Sequence, residues 1–407
     1  MSTPREFDLI IFGASGFTGR LVVEYIFQQY GSSSDLKWAM AGRNRGKLEE
    51  IRDEVANSSV PIVTADSQDV DSLNAMCLRT KVVCTTVGPY AKYGSKLVAA
   101  CVENQTDYCD LTGEVQWMRR MIDQHHDAAS KAGVKIVHTC GFDSIPSDMG
   151  VFFAQEEAKA RTGQYAKRIN MRVRAAKGGI SGGTYASLGN VMEEAAQDRE
   201  VYKTLVNPYG LNPDGEREGP DGRDLRSVKY DKVSKSYIFP FIMAGINTKV
   251  VRRSHALSAY PYGEDFRYDE AMMGGKGFTG RMKSNIAALS LGIVMTAKPG
   301  SLRKKLVDRF LPDPGEGPSQ SQRENGFYKL LFFLSFADGQ KAKVTVTGDR
   351  DPGYGSTSKM LAESAICLAK DDLKSGGGVL TPSTAMGQAL LNRLIDKAGL
   401  TFKYKEA

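Results

Sequence analysis

An apolar stretch that runs directly into three regularly spaced glycines constrains this chain more than any other feature. Leu9 to Phe12 is typical of a buried strand, Gly13, Gly16 and Gly19 follow it, and residues 21–28 have the character of a helix. Glycine accepts positive φ and lets a ligand approach the backbone closely. A strand–turn–helix of this kind directs backbone N–H groups and the positive end of the helix dipole at an anion. The pattern predicts a site for the pyrophosphate of a dinucleotide, and a strand–helix turn without a ligand is the alternative at this point.

The end of the second predicted strand indicates which dinucleotide binds. This strand covers residues 36–43 and ends in Gly42, Arg43 and Asn44, where NAD-binding versions of the motif carry Asp or Glu for the ribose 2′-hydroxyl. A guanidinium can bind a 2′-phosphate through two hydrogen bonds, whereas a carboxylate would repel it. We therefore expect NADPH as the cofactor, with Arg43 as the selecting residue and Asn44 assisting. An ordinary solvated arginine after a strand is the alternative.

The alternation of strand-like and helix-like segments continues through the first third of the chain. Further strands are predicted at 61–66, 81–87, 108–111 and 134–138. Six strands alternating with helices predict a doubly wound parallel sheet of the Rossmann type, in which ligands bind beyond the carboxyl ends of the strands. The residues expected to contact the cofactor are Gly13, Ser15, Gly16, Phe17, Thr18, Gly19, Arg43, Asn44, Asp66, Ser67, Val87, Gly88, Pro89 and Tyr90.

The length of the chain and a change of pattern predict two domains. A chain of 407 residues exceeds one ordinary domain. After residue 148 the strand-like segments alternate apolar and polar residues, as half-buried antiparallel strands do. We expect an α/β fold in which a Rossmann-type parallel sheet carries an inserted α+β domain with a mostly antiparallel sheet. Residues 1–148 would form the NADP-binding domain, completed by C-terminal helices at about 355–407, and residues 149–354 a domain for substrate binding and oligomerisation.

Composition excludes several classes of protein. A hydrophobic content of 41% and a charged content of 25% are those of a soluble globular protein, and no secretory signal precedes the first strand. The six cysteines and four histidines have no metal-binding spacing, so we expect a reduced, cytoplasmic protein without a metal. The positive charges that give the net charge of +7 are too dispersed for nucleic-acid binding. They could instead bind cofactor phosphates, an acidic carrier protein or an anionic membrane.

Two later segments have competing interpretations. Residues 274–281 repeat residues 13–20 almost letter by letter, but 269–273 lack a strand pattern, so we expect a coincidence, or alternatively a flexible gate over the substrate. The apolar stretch 286–297 is shorter than the ~20 residues of a membrane-spanning helix. It predicts a buried helix or, alternatively, a surface helix that contacts a membrane or an acyl chain through residues 284–305.

Several motifs resemble the saccharopine dehydrogenase-like oxidoreductases, and among them most closely the trans-acting enoyl reductases. The motifs are Gly-Ala-Ser-Gly-Phe-Thr-Gly (13–19), Ala-Gly-Arg (41–43), Val-Gly-Pro-Tyr (87–90), Tyr-Cys-Asp-Leu-Thr-Gly-Glu (108–114), Gly-Phe-Asp-Ser-Ile-Pro-Ser-Asp (141–148) and Gly-Gly-Thr-Tyr-Ala-Ser (182–187). The resemblance implies an NADPH-dependent reductase of lipid metabolism or polyketide biosynthesis. Its substrate would be hydrophobic or acyl, carry a C=C bond and be bound to a carrier protein or synthase.

Two other functions remain open beside this one. A saccharopine-type reductase would reduce an imine and would need cations for several carboxylates, for which Arg172, Arg174, Arg252 and Arg253 are candidates. A non-catalytic, lipid-associated NADP-binding protein would need no further site. A homodimer and a peripheral membrane association are also compatible with the sequence.

The reduction of an α,β-unsaturated carbonyl requires a hydrogen-bond or proton donor besides the hydride source. Tyr90 and Tyr185 are candidates because they follow predicted strand ends, and Asp143 because it lies in the most specific of the resembling motifs. Each of the three has a structural alternative, such as capping a helix or shaping a turn.

Overall fold

The computed structural model describes residues 4–31, 35–178, 182–295 and 317–406. The side chains of residues 182–186, 188 and 295 are outside that description. Two seven-stranded sheets organise the described residues.

The first sheet is fully parallel. Its strands are β1 (Phe7–Phe12), β2 (Trp38–Gly42), β3 (Ile62–Thr64), β4 (Thr80–Thr85), β5 (Asp107–Cys109), β6 (Lys135–Val137) and β13 (Gly378–Leu380). They lie in the order β13-β6-β5-β4-β1-β2-β3, and each neighbouring pair is parallel. All six residues of the interior strand β1 are buried, as expected for a strand covered on both faces. The predicted Rossmann-type sheet is therefore confirmed, with β13 as an additional strand.

Helices connect and cover the strands of this sheet. They are α1 (Phe17–Tyr30), α2 (Arg45–Val55), α3 (Val70–Cys77), α4 (Tyr90–Tyr93), α5 (Ser95–Glu103) and α6 (Val115–Ala132). The carboxyl ends of β1, β2, β3 and β4 lead directly into the segments that carry the predicted cofactor residues, so these segments lie along one edge of the sheet.

The second sheet is mixed. Its strands are β7 (Arg168–Lys177), β8 (Lys229–Asp231), β9 (Ser236–Phe239), β10 (Arg267–Gly275), β11 (Phe327–Ser335), β12 (Lys341–Gly348) and β14 (Leu400–Glu406). Their order is β14-β12-β11-β7-β10-β9-β8, and only the pair of β10 and β7 is parallel among them. The expectation of a mostly antiparallel second sheet is confirmed, and the turn at Asp338-Gly339 joins β11 to β12.

The helices of the second half fall into two groups. Those along the second sheet and its connections are α7 (Ile145–Thr162), α8 (Gly182–Gln197), α9 (Arg199–Val206), α10 (Ala244–Leu257), α11 (Gly277–Met295) and α12 (Gln320–Glu324). Two C-terminal helices follow, α13 (Gly355–Lys370) and α14 (Pro382–Asp396). α13 packs on α1 and on β1, β4 and β5, and its buried Glu363 accepts a hydrogen bond of 2.8 Å from the Tyr25 hydroxyl of α1. The C-terminal part of the chain thus returns to the parallel sheet, while β14 joins the second sheet.

The interpretation of residues 274–281 was wrong in one respect. A strand does precede this glycine-rich segment, because β10 extends to Gly275, and helix α11 follows it. An added Cβ at Gly280 would lie 2.3 Å from the Gly275 carbonyl oxygen, so this turn also depends on closely packed glycines. The strand pattern was hidden because β10 carries the buried acid Glu270, which accepts hydrogen bonds from Asn247 (3.0 Å) and Tyr268 (2.7 Å).

The described part of the apolar stretch, residues 286–295, forms the C-terminal half of α11, which is exposed along one side instead of being a buried helix. Ile286, Leu289 and Ile293 are exposed to solvent. Residues 296–305, the last part of the predicted contact segment 284–305, are outside the described residues. Among the helices that the structure describes, none combines the length and the apolar composition needed to cross a membrane.

Candidate active site

The glycine-rich turn between β1 and α1 is shaped by close backbone contacts. Gly13 has a φ of +92°, a conformation that favours glycine. A Cβ added at Gly19 would lie 2.1 Å from the Gly13 carbonyl oxygen, so only glycine permits α1 to approach the end of β1 in this way. The turn therefore has the compact form that the sequence predicted.

The amino end of α1 is suited to an anion. Gly16 is the N-cap residue, no side chain caps the helix, and its first turn contains no acidic residue. The first N–H groups of a helix have no partner within the helix, and the helix dipole adds a partial positive charge there. Gly16 is also exposed. These residues fit the phosphates of a dinucleotide.

Arg43 lies beside this turn. It follows the last residue of β2, it is exposed, and no described carboxylate pairs with it. A Cβ added at the neighbouring Gly42 would lie 3.8 Å from the Ser15 hydroxyl oxygen, which places the end of β2 against the glycine-rich turn. Asn44 uses its side-chain oxygen to cap α2, where it accepts a hydrogen bond of 3.0 Å from the Lys47 amide.

The segment after β3 supplies two more of the predicted residues. Asp66 is partly exposed, and its carboxylate accepts a hydrogen bond of 2.9 Å from the Gln68 amide. Ser67 is buried, with an exposed fraction of 9%. Both residues lie on the same sheet edge as Arg43, one strand further out.

The loop after β4 contains Val87 and a cis peptide bond between Gly88 and Pro89, and a buried carboxylate holds it in place. Glu114 accepts hydrogen bonds from the amides of Tyr90 (2.8 Å) and Ala91 (2.9 Å) and from the Ser187 hydroxyl (2.9 Å). Burial raises the pKa of Glu114, and these hydrogen bonds oppose the shift. Glu114 therefore connects the β4 loop to α8.

Tyr90, one of the candidate donors, is buried and stacks on Trp117. Its hydroxyl donates to the Thr85 carbonyl oxygen at 3.2 Å and accepts from the Leu111 amide at 3.4 Å. Burial and the nearby Asp110 carboxylate raise the pKa of this phenol well above its usual value. Its hydrogen bonds stabilise the β4 loop.

Of two other predicted residues, the structure describes the side chain of Phe17 and not that of Tyr185. The ring of Phe17 packs edge-on against Tyr354 at 4.8 Å, and the Arg323 guanidinium lies 5.6 Å from its centre. The side chain of Phe17 thus anchors the start of α1 to the second half of the chain. Tyr185 lies in the first turns of α8, and its side chain is outside the described residues.

A cavity of about 280 Å³ opens next to the glycine-rich turn. Thr18 of α1 forms one wall, and the loop after β6, the strands β7 and β10, the segment after β9, helix α11 and the start of α13 form the others. Most of the lining is apolar. The lining residues are Thr18, Leu111, Gly141, Phe142, Asp143, Val173, Ala176, Gly178, Phe239, Pro240, Phe241, Ile242, Met243, Met272, Leu291, Pro352, Gly353 and Thr357.

Asp143 is the ionisable residue among them. No described residue donates a hydrogen bond to its carboxylate, and burial in this apolar environment raises its pKa to about 7. A carboxyl group with such a pKa is present in both protonation states near neutral pH. Asp143 can therefore act as a proton donor to a molecule in the cavity.

The backbone around Asp143 is fixed from both sides. The Phe142 amide donates a hydrogen bond of 3.0 Å to the Thr357 hydroxyl of α13. Ser144 has a φ of +102°, an uncommon conformation for a residue with a side chain, and its hydroxyl donates to Asn247 at 3.1 Å. These contacts hold the acid at the wall of the cavity.

The four arginines considered as cations for a saccharopine-type substrate do not line the cavity. Arg172 forms ion pairs with Asp231 and Asp269, and Arg252 pairs with Asp221 at 2.8 Å. Arg253 donates to the carbonyl oxygens of Leu211 and Val379, and Arg174 is exposed outside the cavity. The described lining of the cavity contains no Arg or Lys.

Much of the cavity wall was not predicted from the amino-acid sequence. Thr357 and the apolar run Phe239–Met243 were not identified as site residues. The run begins at the last residue of β9, and its apolar composition at a strand end could have indicated a pocket. Thr357 carries no such signal, because its position depends on the return of α13 to the parallel sheet.

Comparisons with known proteins agree with this geometry. Residues 9–137, from β1 to β6, match the family model described as the saccharopine dehydrogenase NADP-binding domain. The cofactor is accordingly NADP(H).

Curated relatives extend the similarity to almost the whole chain. A Mycobacterium tuberculosis protein provisionally named as a trans-acting enoyl reductase is 40% identical over 97% of this chain and 96% of its own length. The trans-acting enoyl reductase of Mycobacterium ulcerans is 38% identical over the same shares. Among solved structures, the apo saccharopine dehydrogenase (L-Glu forming) of Saccharomyces cerevisiae superposes with a TM-score of 0.55, at 12% identity, over 98% of this chain and 99% of its own. The similarity to the yeast saccharopine dehydrogenase shows a shared fold.

Proposed function

Because the chain belongs to the family of the trans-acting enoyl reductases and carries a saccharopine dehydrogenase-type NADP-binding domain, we propose that it reduces a carbon–carbon double bond of a polyketide or lipid-like substrate with NADPH. One observation carries the proposal. A mostly apolar cavity connects Thr18 of the glycine-rich turn with the unpaired carboxyl group of Asp143. A hydride acceptor with an apolar chain and a proton donor would thus meet in one space beside the dinucleotide site.

The cofactor would be held by the edge of the parallel sheet. We propose that the turn from Gly13 to Gly19 binds the pyrophosphate, that Arg43 binds the 2′-phosphate, and that Asp66 and Ser67 flank the adenosine end. The β4 loop from Val87 to Tyr90, supported by Glu114, would border the nicotinamide end. When bound there, NADPH supplies a hydride for the β-carbon of an α,β-unsaturated carbonyl compound.

Asp143 would complete the reduction as the proton donor. Hydride addition at the β-carbon leaves negative charge on the carbonyl oxygen and the α-carbon, and a donor next to this charge lowers the barrier. The protonated carboxyl of Asp143 would deliver the proton to the α-carbon and recover it from solvent. The surrounding apolar walls would keep bulk water away and would accommodate the acyl chain.

The apolar lining favours this reaction over imine reduction of the saccharopine type. A substrate that joins two amino acids carries several carboxylates, and burial of a carboxylate without a cation is strongly unfavourable. Of the arginines proposed for that role, Arg172, Arg252 and Arg253 bind other groups and Arg174 is exposed outside the cavity. The described cavity lining has no basic residue.

We make three further proposals, on how the substrate is presented, on the oligomeric state and on the domain boundaries. The substrate would be presented on a carrier protein or synthase, and the chain could act as a homodimer. We also propose that residues 1–148, with the helices after 355, form an NADP-binding domain and that residues 149–354 form a substrate domain.

The test is a comparison of substrates and of one variant. NADPH oxidation would be followed with a trans-2-enoyl N-acetylcysteamine thioester, with a 2-oxo acid plus an amino acid, and with an aldehyde. We expect turnover with the thioester, and roughly 10²- to 10⁴-fold lower kcat for Asp143→Asn with unchanged NADPH binding by fluorescence. Asp338→Asn is the matched control, because Asp338 lies in the exposed turn between β11 and β12, outside the cavity lining and the proposed cofactor segments, and Asn-Gly suits such a turn as well as Asp-Gly does.

The other results would decide against the proposal. Turnover only with the 2-oxo acid and amino acid would identify an imine reductase. Tight NADPH binding without turnover of any of the compounds would indicate a non-catalytic protein. Full activity of Asp143→Asn would remove Asp143 from the mechanism.

A further inference from the structure

Helix α11 carries an exposed apolar stripe along its whole length. Five large side chains, Phe278, Met282, Ile286, Leu289 and Ile293, are exposed, with fractions of 80% for Phe278, 68% for Leu289 and 59% for Ile286. At 3.6 residues per turn they fall within about 80° of the helix circumference. Contiguous exposed apolar surface of this kind marks an interaction site.

The opposite side of α11 faces the protein. Gly280 and Ser284 are buried, and Leu291 lines the cavity that contains Asp143. These positions lie about 180° from the centre of the stripe. The helix therefore separates the cavity from the surface on which the stripe lies.

Positive charges border the stripe on both sides. Arg281 and Lys283 are exposed and lie about 100° to either side of its centre, and Lys276 is exposed just before the helix. No described carboxylate pairs with these three residues, and the sequence 277–295 contains no Asp or Glu. Long basic side chains at the borders of an apolar stripe can reach anionic headgroups while the stripe lies among the acyl chains.

From this arrangement we propose that α11 is a membrane-docking helix, which binds in the plane of an anionic lipid surface with the stripe from Phe278 to Ile293 immersed. The stripe is about 22 Å long at 1.5 Å per residue, and the residues beside it, such as Asn285 and Ser290, are also exposed. It is a projecting ridge, which suits the headgroup layer.

A second copy of the chain fits this surface less well. A two-fold symmetric contact between two ridges would bring Arg281 and Lys283 of both copies together with no carboxylate on either helix to compensate them. An anionic bilayer supplies that compensation. The inference concerns the outer surface of α11 and does not depend on the reaction at Asp143.

Vesicle sedimentation of the full chain tests the proposal. The probes are vesicles of phosphatidylcholine with about 30% phosphatidylserine, and vesicles of phosphatidylcholine alone. We expect the wild type to bind the anionic vesicles, and the variant Ile286→Gln/Leu289→Gln to bind them at least roughly tenfold more weakly. The matched control Leu78→Gln/Ile395→Gln changes the same residue types at exposed positions outside α11, at the end of α3 and in α14, and it should bind like the wild type.

A charge variant separates the two contributions. Arg281→Gln/Lys283→Gln should weaken binding to the anionic vesicles about 25-fold, at about fivefold for each basic residue, and should leave binding to neutral vesicles unchanged. Lys131→Gln/Lys341→Gln, at exposed positions elsewhere, is its control. NADPH binding and the melting temperature of each variant should equal those of the wild type, which shows that the fold and the cofactor site are intact.

Three results would overturn the proposal. The first is a wild type that does not bind anionic vesicles. The second is a glutamine variant of the stripe that binds them like the wild type. The third is a wild-type dimer, seen by light scattering, that dissociates in the stripe variant without any vesicle binding, which would assign the stripe to self-association. Failure of the enoyl thioester assay would leave each of these outcomes unaffected.

Discussion

Removal of the Arg43 side chain is the perturbation whose consequence follows most directly from the structure. Arg43 stands at the carboxyl end of β2, next to Ser15 of the glycine-rich turn. It is exposed, and no described carboxylate binds it. The substitution Arg43→Ala therefore breaks no ion pair among the described residues, and its effect should be confined to the cofactor.

The expected magnitude comes from the hydrogen bonds that a 2′-phosphate would receive. A hydrogen bond to a charged group contributes about 1.5–3 kcal/mol. Loss of this contribution corresponds to a roughly 10- to 150-fold higher Kd for NADPH. NADH lacks the 2′-phosphate, so its Kd should change by less than about twofold.

Fluorescence titration with NADPH and NADH measures both constants. Arg45→Ala is the control, because Arg45 lies two residues away, is also exposed, and pairs with Glu49 at 2.9 Å. We expect this control to retain the preference for NADPH. An unchanged ratio of the two Kd values in Arg43→Ala, or an equal loss in Arg45→Ala, would refute the assignment of Arg43 as the selecting residue.

Two further predictions concern the same site. Because Asp143 must be protonated to donate and its pKa is raised to about 7, kcat should be constant at lower pH and fall about tenfold per pH unit above it, and Asp143→Asn should lack this limb. A flat profile in the wild type across pH 6–9 would contradict the role of this acid. Gly19→Ala should weaken NADPH binding at least roughly tenfold in a fluorescence titration, since its Cβ would lie 2.1 Å from the Gly13 carbonyl oxygen. Gly189→Ala, where an added Cβ meets nothing within 4 Å, should bind NADPH normally, and equal binding by both variants would contradict this account of the turn.

The parallel sheet was predictable because its signals are local. The strands that were predicted are short apolar runs that end in glycine or turn residues, and helices alternate with them. β13 (Gly378–Leu380) escaped prediction because it begins in a run of three glycines and has only two apolar residues, and it exists through its pairing with β6. β14 alternates Leu400, Phe402 and Tyr404 with exposed residues, a pattern that did indicate a strand and was overlooked.

The missed strand β10 has a physical explanation. Glu270 occupies a buried position in it, which contradicts the pattern of a core strand. Hydrogen bonds from Asn247 of α10 and from Tyr268 satisfy this carboxyl group, and its pKa is raised to about 7 by burial. The partner from α10 is distant in sequence, so this part of the compensation cannot be deduced from the strand itself.

The candidate site was predictable in part for the same reason. The glycines of the turn and Arg43 can be identified from the sequence, because the proposed roles depend on local properties. These properties are the backbone freedom of glycine and a positive charge at a strand end. The cavity joins Thr18, Asp143, Met243, Leu291 and Thr357, which come from five separate parts of the chain. Its apolar character depends on how the second sheet and α11 close over the parallel sheet, and tertiary packing alone determines that.

The destination of the hydride tests the central claim most directly. NADPH that carries deuterium in the transferable position at the nicotinamide C4 would be incubated with the enzyme and a trans-2-enoyl thioester in ordinary water, and the product analysed by mass spectrometry and NMR. The account predicts a saturated thioester with one deuterium on the β-carbon and a solvent-derived hydrogen on the α-carbon. No deuterium in the acyl chain, with deuterium found instead on the amine-bearing carbon of a 2-oxo acid and amino acid product, would contradict it.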